Sequence, residues 1–124
     1  MKPDEIFSKI AKLEKINSVY QPEAYSFVLD ALQFSVRKKK VPGHVSGQEL
    51  LDGIREFGLR EYGPMVRTVF EHWGVRQTID FGYIVFDLIQ AGFLRKRDED
   101  SLEDFKDRYD FKEVFDGRYE FGEN

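Results

Sequence analysis

The chain contains no cysteine, so its two histidines are the side chains best suited to catalysis or metal binding. His44 and His72 lie far apart in the sequence and match no metal-ligand spacing, so we expect no metal site and no cofactor. His72 precedes Trp73 on a predicted amphipathic helix, where a structural or solvent-facing role is expected. His44 lies in a loop between a basic run and a helix start, and functional residues concentrate on loops. An enzyme with a site near His44 is therefore one functional alternative.

The hydroxyl and carboxylate motifs predict no catalytic residue. Ser46 follows His44 closely, but Gly43–Gly47 lacks the glycine-x-serine-x-glycine pattern of a nucleophile elbow, and Ser46 is better explained as a helix cap. Asp80-Phe81-Gly82 matches the magnesium-binding tripeptide of protein kinases, yet the glycine-rich loop, the strand lysine and the catalytic loop are absent. We therefore lean against an enzyme and assign no catalytic residue.

Two basic runs could bind phosphate groups or an acidic protein. The first, Arg37-Lys38-Lys39-Lys40, closes the second predicted helix, and the second, Arg95-Lys96-Arg97, follows the fifth. Together with His44 they form the set of candidate binding residues. Residues 79–91 would be the recognition helix of a winged-helix domain, but they include no Lys or Arg, whereas phosphate neutralisation dominates DNA affinity. A nucleic-acid or ribosome-associated protein is thus a second alternative, disfavoured by net charge.

The charge is divided unevenly along the chain. Residues 1–40 carry eight basic and five acidic side chains, residues 41–97 carry seven of each, and residues 98–124 carry four basic and eleven acidic side chains. The last segment also holds six aromatic residues, which a purely solvating acidic tail would lack. We expect this tail to dock on the chain's own core, or otherwise on a partner, through four rings: Phe105, Tyr109, Phe111 and Phe115.

The apolar pattern predicts a mainly α-helical single domain over residues 1–124. Apolar residues recur at helical spacing in five segments, and Ser46-Gly47-Gln48-Glu49 is a capping box that fixes one helix start. The predicted helices begin at Pro3, Pro22, Ser46, Gly63 and Thr78. A short extended segment is expected at Phe93–Lys96, and the alternation of Tyr119 and Phe121 is typical of a strand or β-hairpin. A shared face of Leu102, Phe105 and Tyr109 could add a sixth helix, and the order over residues 46–112 is winged-helix-like.

Several segments together resemble a family of short, uncharacterised bacterial proteins. The resemblance covers residues 44–111. It rests on His44-Val45-Ser46-Gly47-Gln48-Glu49-Leu50, Tyr62-Gly63-Pro64, Asp80-Phe81-Gly82 with Ile84-Val85-Phe86, Gly92-Phe93-Leu94-Arg95-Lys96, and Glu103-Asp104-Phe105-Lys106 with Tyr109-Asp110-Phe111. It implies a bacterial cytoplasmic protein of unknown function and carries over no activity and no catalytic residue.

We expect a protein of the cytoplasm that does not enter a membrane. The absence of cysteine fits a reducing compartment, the N-terminus lacks the apolar stretch of a signal peptide, and no apolar run reaches the length of a membrane span.

The leading functional hypothesis is a non-catalytic helical module that binds another protein or associates with itself. It depends on the lack of catalytic motifs, the aromatic acidic tail and the basic run that ends at Lys40. In the nucleic-acid alternative, the acidic tail would shield the basic face until it is displaced.

Overall fold

Short connections join the helices of the described chain. The computed structural model describes residues 19–41, 43–95 and 101–117. These contain four α-helices: α1 (Pro22–Lys38), α2 (Gly47–Tyr62), α3 (Val66–His72) and α4 (Thr78–Gln90). The remaining helical turns are two 3₁₀ turns, Gly63–Met65 and Leu102–Phe105, and a π-helical turn, Lys112–Gly117.

The prediction of a mainly α-helical chain is confirmed, but five or six helices with a β-hairpin are not. The described residues contain four α-helices and no strand. The helix predicted from Pro3, together with Lys96 and the Tyr119–Phe121 segment, lies outside the described residues. The segment after α4 does not extend, because the amides of Phe93 and Leu94 donate to the carbonyl of Leu88 (2.9 and 3.4 Å) and turn the chain back onto the helix. The described part of residues 46–112 therefore lacks the strand pair of a winged-helix domain.

Short turns take the place of the sixth helix expected around Leu102 and Tyr109. The 3₁₀ turn ends at Phe105, and Asp107 has a left-handed φ of 51°, which a continuous α-helix cannot contain. Thr78, which begins α4 as predicted, also has a tertiary role. Its buried hydroxyl donates to the carbonyl of Phe105 (2.6 Å) and accepts from the amide of Arg108 (3.1 Å). Thr78 thus fixes the C-terminal segment to the start of α4.

Phe70 lies at the centre of the core and joins the helices to the C-terminal segment. Its ring centroid lies 5.2 Å from that of Phe27 in α1 and 5.3 Å from that of Phe81 in α4. Phe111 and Phe115 approach it at 5.7 and 5.5 Å. All four contacts are edge-to-face, the arrangement that the quadrupoles of aromatic rings favour. Because α3 has seven residues, this packing rather than its own hydrogen bonds holds it in place.

The 3₁₀ turn Leu102–Phe105 packs closely against α2 and α4 at two glycines. A Cβ atom on Gly47 would lie 2.8 Å from Asp104 Cβ, and one on Gly82 would lie 2.9 Å from Leu102 Cδ2. Carbon atoms in favourable contact stand about 3.5–4.0 Å apart, so neither position has room for a methyl group. The two glycines therefore allow Phe105 to reach the core between the helices.

Three tyrosine hydroxyls tie the ends of the described chain to the helices. Tyr20 donates to Asp80 (2.6 Å) and Tyr25 donates to Asp87 (2.8 Å), both in α4, while Tyr109 donates to a backbone carbonyl of α2 (2.8 Å). Burial raises the pKa of all three phenols, because the low-dielectric surroundings penalise the ionised form. For Tyr20 and Tyr25 the accepting carboxylates raise the pKa further.

We expect Gly82→Ala to destabilise the protein and to loosen residues 101–117. The added methyl group would overlap Leu102 and Phe105, which costs roughly 1–3 kcal/mol, against a gain of about 0.5–1 kcal/mol in helix propensity. Adding Leu102→Ala removes the closest overlapping atom and should recover part of the amide protection. Chemical denaturation and hydrogen exchange measure both effects. Unchanged exchange at residues 101–117 in Gly82→Ala would contradict the close packing.

Stability should fall as the pH rises above the ordinary tyrosine pKa of 10.0. Above that pH the unfolded chain loses phenolic protons that the folded chain keeps, so each buried tyrosine lowers the free energy of unfolding by about 1.4 kcal/mol per pH unit. Urea denaturation across this range measures the slope. Tyr109→Phe removes one of these buried phenols and should reduce the slope by about 1.4 kcal/mol per pH unit. A slope that Tyr109→Phe does not alter would exclude this mechanism.

Candidate functional site

An apolar cleft of about 270 Å³ opens between the end of α1, the loop before α2, and α4. We call it the His44 cleft. Buried Leu50 and Phe105 line it from the side of the core, and four side chains of its rim are polar: His44, Ser46, Arg95 and Ser101. The other side chains that line it are apolar: Leu32, Val36, Val45, Val85, Phe86, Ile89 and Leu94. The cleft thus offers apolar contact within and a cation at its edge.

Lys39 holds the loop that forms one wall of the cleft. Its ammonium group donates to the backbone carbonyl of His44 (2.8 Å) and pairs with the Glu49 carboxylate (3.1 Å). Glu49 also accepts from the Ser46 amide (2.9 Å), and the Ser46 hydroxyl accepts from the Glu49 amide (3.1 Å), which completes the predicted capping box. The Ser46 amide and Lys39 lower the pKa of Glu49, because both stabilise its ionised form. These contacts all form within the chain, so they hold the wall of the cleft in place without a bound ligand.

The structure brings His44 and Arg95 together on the rim of one cleft, although they come from different segments of the chain. Arg95 is exposed, and no ion pair within the described residues engages it. Lys96 and Arg97, the other members of the second basic run, lie outside the described residues.

The first basic run does not converge on the cleft as a cluster of free cations. Lys38 pairs with Glu56 of α2, and Lys39 pairs with Glu49. Arg37 donates to Gln33 of its own helix (3.5 Å), and Lys40 is exposed. Two of the four cations are therefore locally neutralised by acids of α2.

The polar groups of the cleft suit binding better than catalysis. The hydroxyls of Ser46 and Ser101 both cap helical turns, since each accepts a backbone amide at 3.1 Å. His72 is exposed at the end of α3. No group of three or more His, Asp or Glu side chains in the described ranges could hold a metal ion. What this arrangement offers a ligand is apolar surface with a guanidinium group at its edge.

The four rings assigned to docking of the tail lie against the other described elements. Phe105 is 5% exposed, and Phe115 is 1% exposed. Phe111 and Phe115 pack on Phe70, and the ring centroid of Tyr109 lies 6.1 Å from that of Phe111. Phe105 has a second role, because its side chain also lines the His44 cleft.

The apolar walls of the cleft were not among the predicted site residues. Leu32 and Val36 on α1, and Val85 and Ile89 on α4, have the spacing of core residues, so periodicity alone assigns them to packing. One signal could have identified them. Apolar residues surround most of α1, which is more than a single contact face requires, and Val36 is in fact 50% exposed.

No protein-family model, no curated protein and no solved structure matches this chain. The resemblance over residues 44–111 therefore stays a resemblance and supplies no activity. Among the described residues, no helix combines the length and the apolar character that a membrane span needs.

We expect Lys39→Met to loosen the cleft wall, because it removes both the hydrogen bond to His44 and the ion pair with Glu49. Losing such contacts should speed amide exchange in residues 43–45 by roughly three- to tenfold. Lys40→Met is the matched control, since it removes an exposed ammonium group from the adjacent position. Hydrogen exchange followed by mass spectrometry or NMR gives the comparison. Equal exchange in the two variants would show that Lys39 does not hold the loop.

Proposed function

We propose that this protein is a non-catalytic interaction module that binds an apolar segment of another protein in the His44 cleft. The observation that carries the proposal is the cleft itself, with about 270 Å³ of space and mainly apolar walls. Apolar surface that leaves water on binding contributes roughly 25 cal/mol per Å². A well-formed apolar pocket with a few polar groups at its edge is the first place to expect a ligand.

The size of the cleft favours the side chains of a protein over a larger cofactor. Sites for drug-sized ligands measure roughly 300–1,000 Å³, and the His44 cleft, at about 270 Å³, lies just below that range. It has room for one or two large apolar side chains, which commonly act as anchors in protein interfaces. The polar groups that would orient a cofactor are few, because Ser46 and Ser101 already accept backbone amides.

Exposed apolar side chains extend the contact surface beyond the cleft. Val36 lines its α1 side and is 50% exposed, and Val41, in the loop that leads to the cleft wall, is 72% exposed. Single exposed apolar residues are common on protein surfaces, but residues that adjoin an apolar cleft form the larger patch typical of an interaction site. The surroundings of the cleft thus support the same proposal.

Protein fits this site better than nucleic acid. The ion pairs of Lys38 and Lys39 with Glu56 and Glu49 reduce the charge that phosphates would need. The chain as a whole carries a net charge of −4, which repels nucleic acid at long range. The proposed partner is a different protein, and a second copy of this chain is the alternative. Gel filtration and light scattering distinguish these cases, because self-association through the cleft would depend on protein concentration.

We further propose that residues 1–124 form one cytoplasmic domain with residues 98–124 docked on it. Burial of Phe105, Phe111 and Phe115 supports the docking. The absence of cysteine supports a reducing compartment.

Photo-crosslinking from the cleft tests the proposal. Replacing Val36 by p-benzoylphenylalanine in the full chain should give an adduct with a partner protein in cells that make it. The matched control places the same group at Met65, which is 54% exposed and does not line the cleft. Adding Ile89→Asp to the Val36 protein should remove most of the adduct, because an unpaired charge in an apolar wall opposes binding.

Circular dichroism checks that Ile89→Asp leaves the protein folded. Adducts that form equally from positions 36 and 65, or no adduct from position 36, would overturn the proposal.

A further inference from the structure

A second cleft adjoins the His44 cleft on the neighbouring face of α4. It measures about 430 Å³, and Tyr20, Tyr83 and Asp87 are among its lining residues, so we call it the Tyr83 cleft. Phe86 lines both clefts. Along α4, Val85 and Ile89 line the His44 cleft, while Tyr83, Asp87 and Gln90 line the Tyr83 cleft. These spacings place the two clefts on adjacent faces of α4, with Phe86 between them.

Exposed apolar side chains mark both ends of this double cleft. Val36 lies at the end formed by the His44 cleft, and Val19 and Tyr83, which are 66% and 43% exposed, lie at the other. Val36 and Tyr83 therefore belong to two different clefts that meet at Phe86. This double cleft fits a ligand with at least two apolar anchors.

We propose that the partner segment is an amphipathic α-helix that crosses α4 over Phe86, with one apolar anchor in each cleft and an acidic side chain beside Arg95. This inference rests on the proposed function of the His44 cleft and names the chemistry of its occupant.

The shared residue between the clefts and the backbone of the ligand both favour a helix. Phe86 lines both clefts, so the two anchors must lie on one face of the ligand, on either side of that ring. Residues seven positions apart on a helix share a face and rise by about 10.5 Å. An extended segment would bring its unpaired amides and carbonyls against apolar walls, which is costly unless a strand edge pairs with them. The described residues contain no strand. A helix satisfies its own backbone hydrogen bonds.

Charge at the two clefts sets the orientation of the helix. Arg95 lies at the His44 cleft, while Asp87 lies at the Tyr83 cleft, where it accepts the hydroxyl of Tyr25. An acidic side chain of the partner is attracted at the Arg95 end and repelled at the Asp87 end. The acidic residue should therefore flank the anchor that enters the His44 cleft.

A labelled alanine-based peptide of about 15 residues, long enough to form a helix, serves as the probe. It carries two leucines seven positions apart and a glutamate beside one of them. NMR of the isotope-labelled full chain should show shifts at both clefts, including Ile89 and Tyr83. Arg95→Glu should weaken binding by at least about tenfold, and replacing the peptide's glutamate with lysine should restore binding to within about threefold. Arg60→Glu, a charge reversal at an exposed arginine of α2, should change the affinity by less than about twofold.

A peptide of the same composition with a central proline tests the helical partner separately from binding in the His44 cleft, because proline breaks the helix. If it shifts the His44 cleft alone and binds as well as the helical peptide, the helical partner is wrong and the function of the cleft stands. If neither peptide shifts residues of either cleft at millimolar concentration, both proposals fail. Equal binding of the glutamate and lysine peptides to the unmodified protein would overturn the role of Arg95.

Discussion

The edge-to-face packing of Phe70 with Phe111 and Phe115 is the interaction on which the rest of the structure depends. Burying a phenylalanine side chain stabilises a fold by about 1.5–3 kcal/mol, whereas short 3₁₀ and π turns contribute little by themselves. The segment that contains Phe111 is built from such turns, and α3 is too short to be stable alone. Both are therefore ordered by the rings that they bring to Phe70. The C-terminal segment belongs to the core and is not an addition to a finished helical bundle.

Phe105 connects this core to the cleft. Its ring enters between the helices at Gly47 and Gly82, and its side chain also lines the His44 cleft. The contacts that dock residues 101–117 therefore also shape the candidate binding surface. Displacing this segment would uncover buried phenylalanines, which makes it a poor reversible shield for a basic surface. A tail that gates nucleic-acid binding by leaving the core would lose the burial of Phe105, Phe111 and Phe115, each of which contributes roughly 1.5–3 kcal/mol.

The helices could be predicted from the sequence because their signals are local. The capping box at Ser46 and the apolar spacing along α4 require only neighbours within a few residues, and the structure has both elements where they were expected. The segments after α4 could not be predicted in the same way. Their turns depend on contacts between distant positions, such as the hydroxyl of Thr78 with the carbonyl of Phe105. Likewise, His44 and Arg95 could be named as candidates, but periodicity cannot separate a core residue from a cleft wall such as Val36.

Arg95 places a positive charge on the rim of the His44 cleft, although the net charge of the chain is −4. The local charge and the net charge influence a partner at different distances. At physiological ionic strength charges are screened over about 8 Å, so a partner in contact with Arg95 experiences the local cation more than the distant acids. The net charge acts earlier, because it slows the approach of an acidic partner at low salt. In the proposed complex most of the binding free energy would come from the apolar walls, which salt does not screen. The proposed ion pair with Arg95 would contribute mainly to the choice of partner and to its orientation.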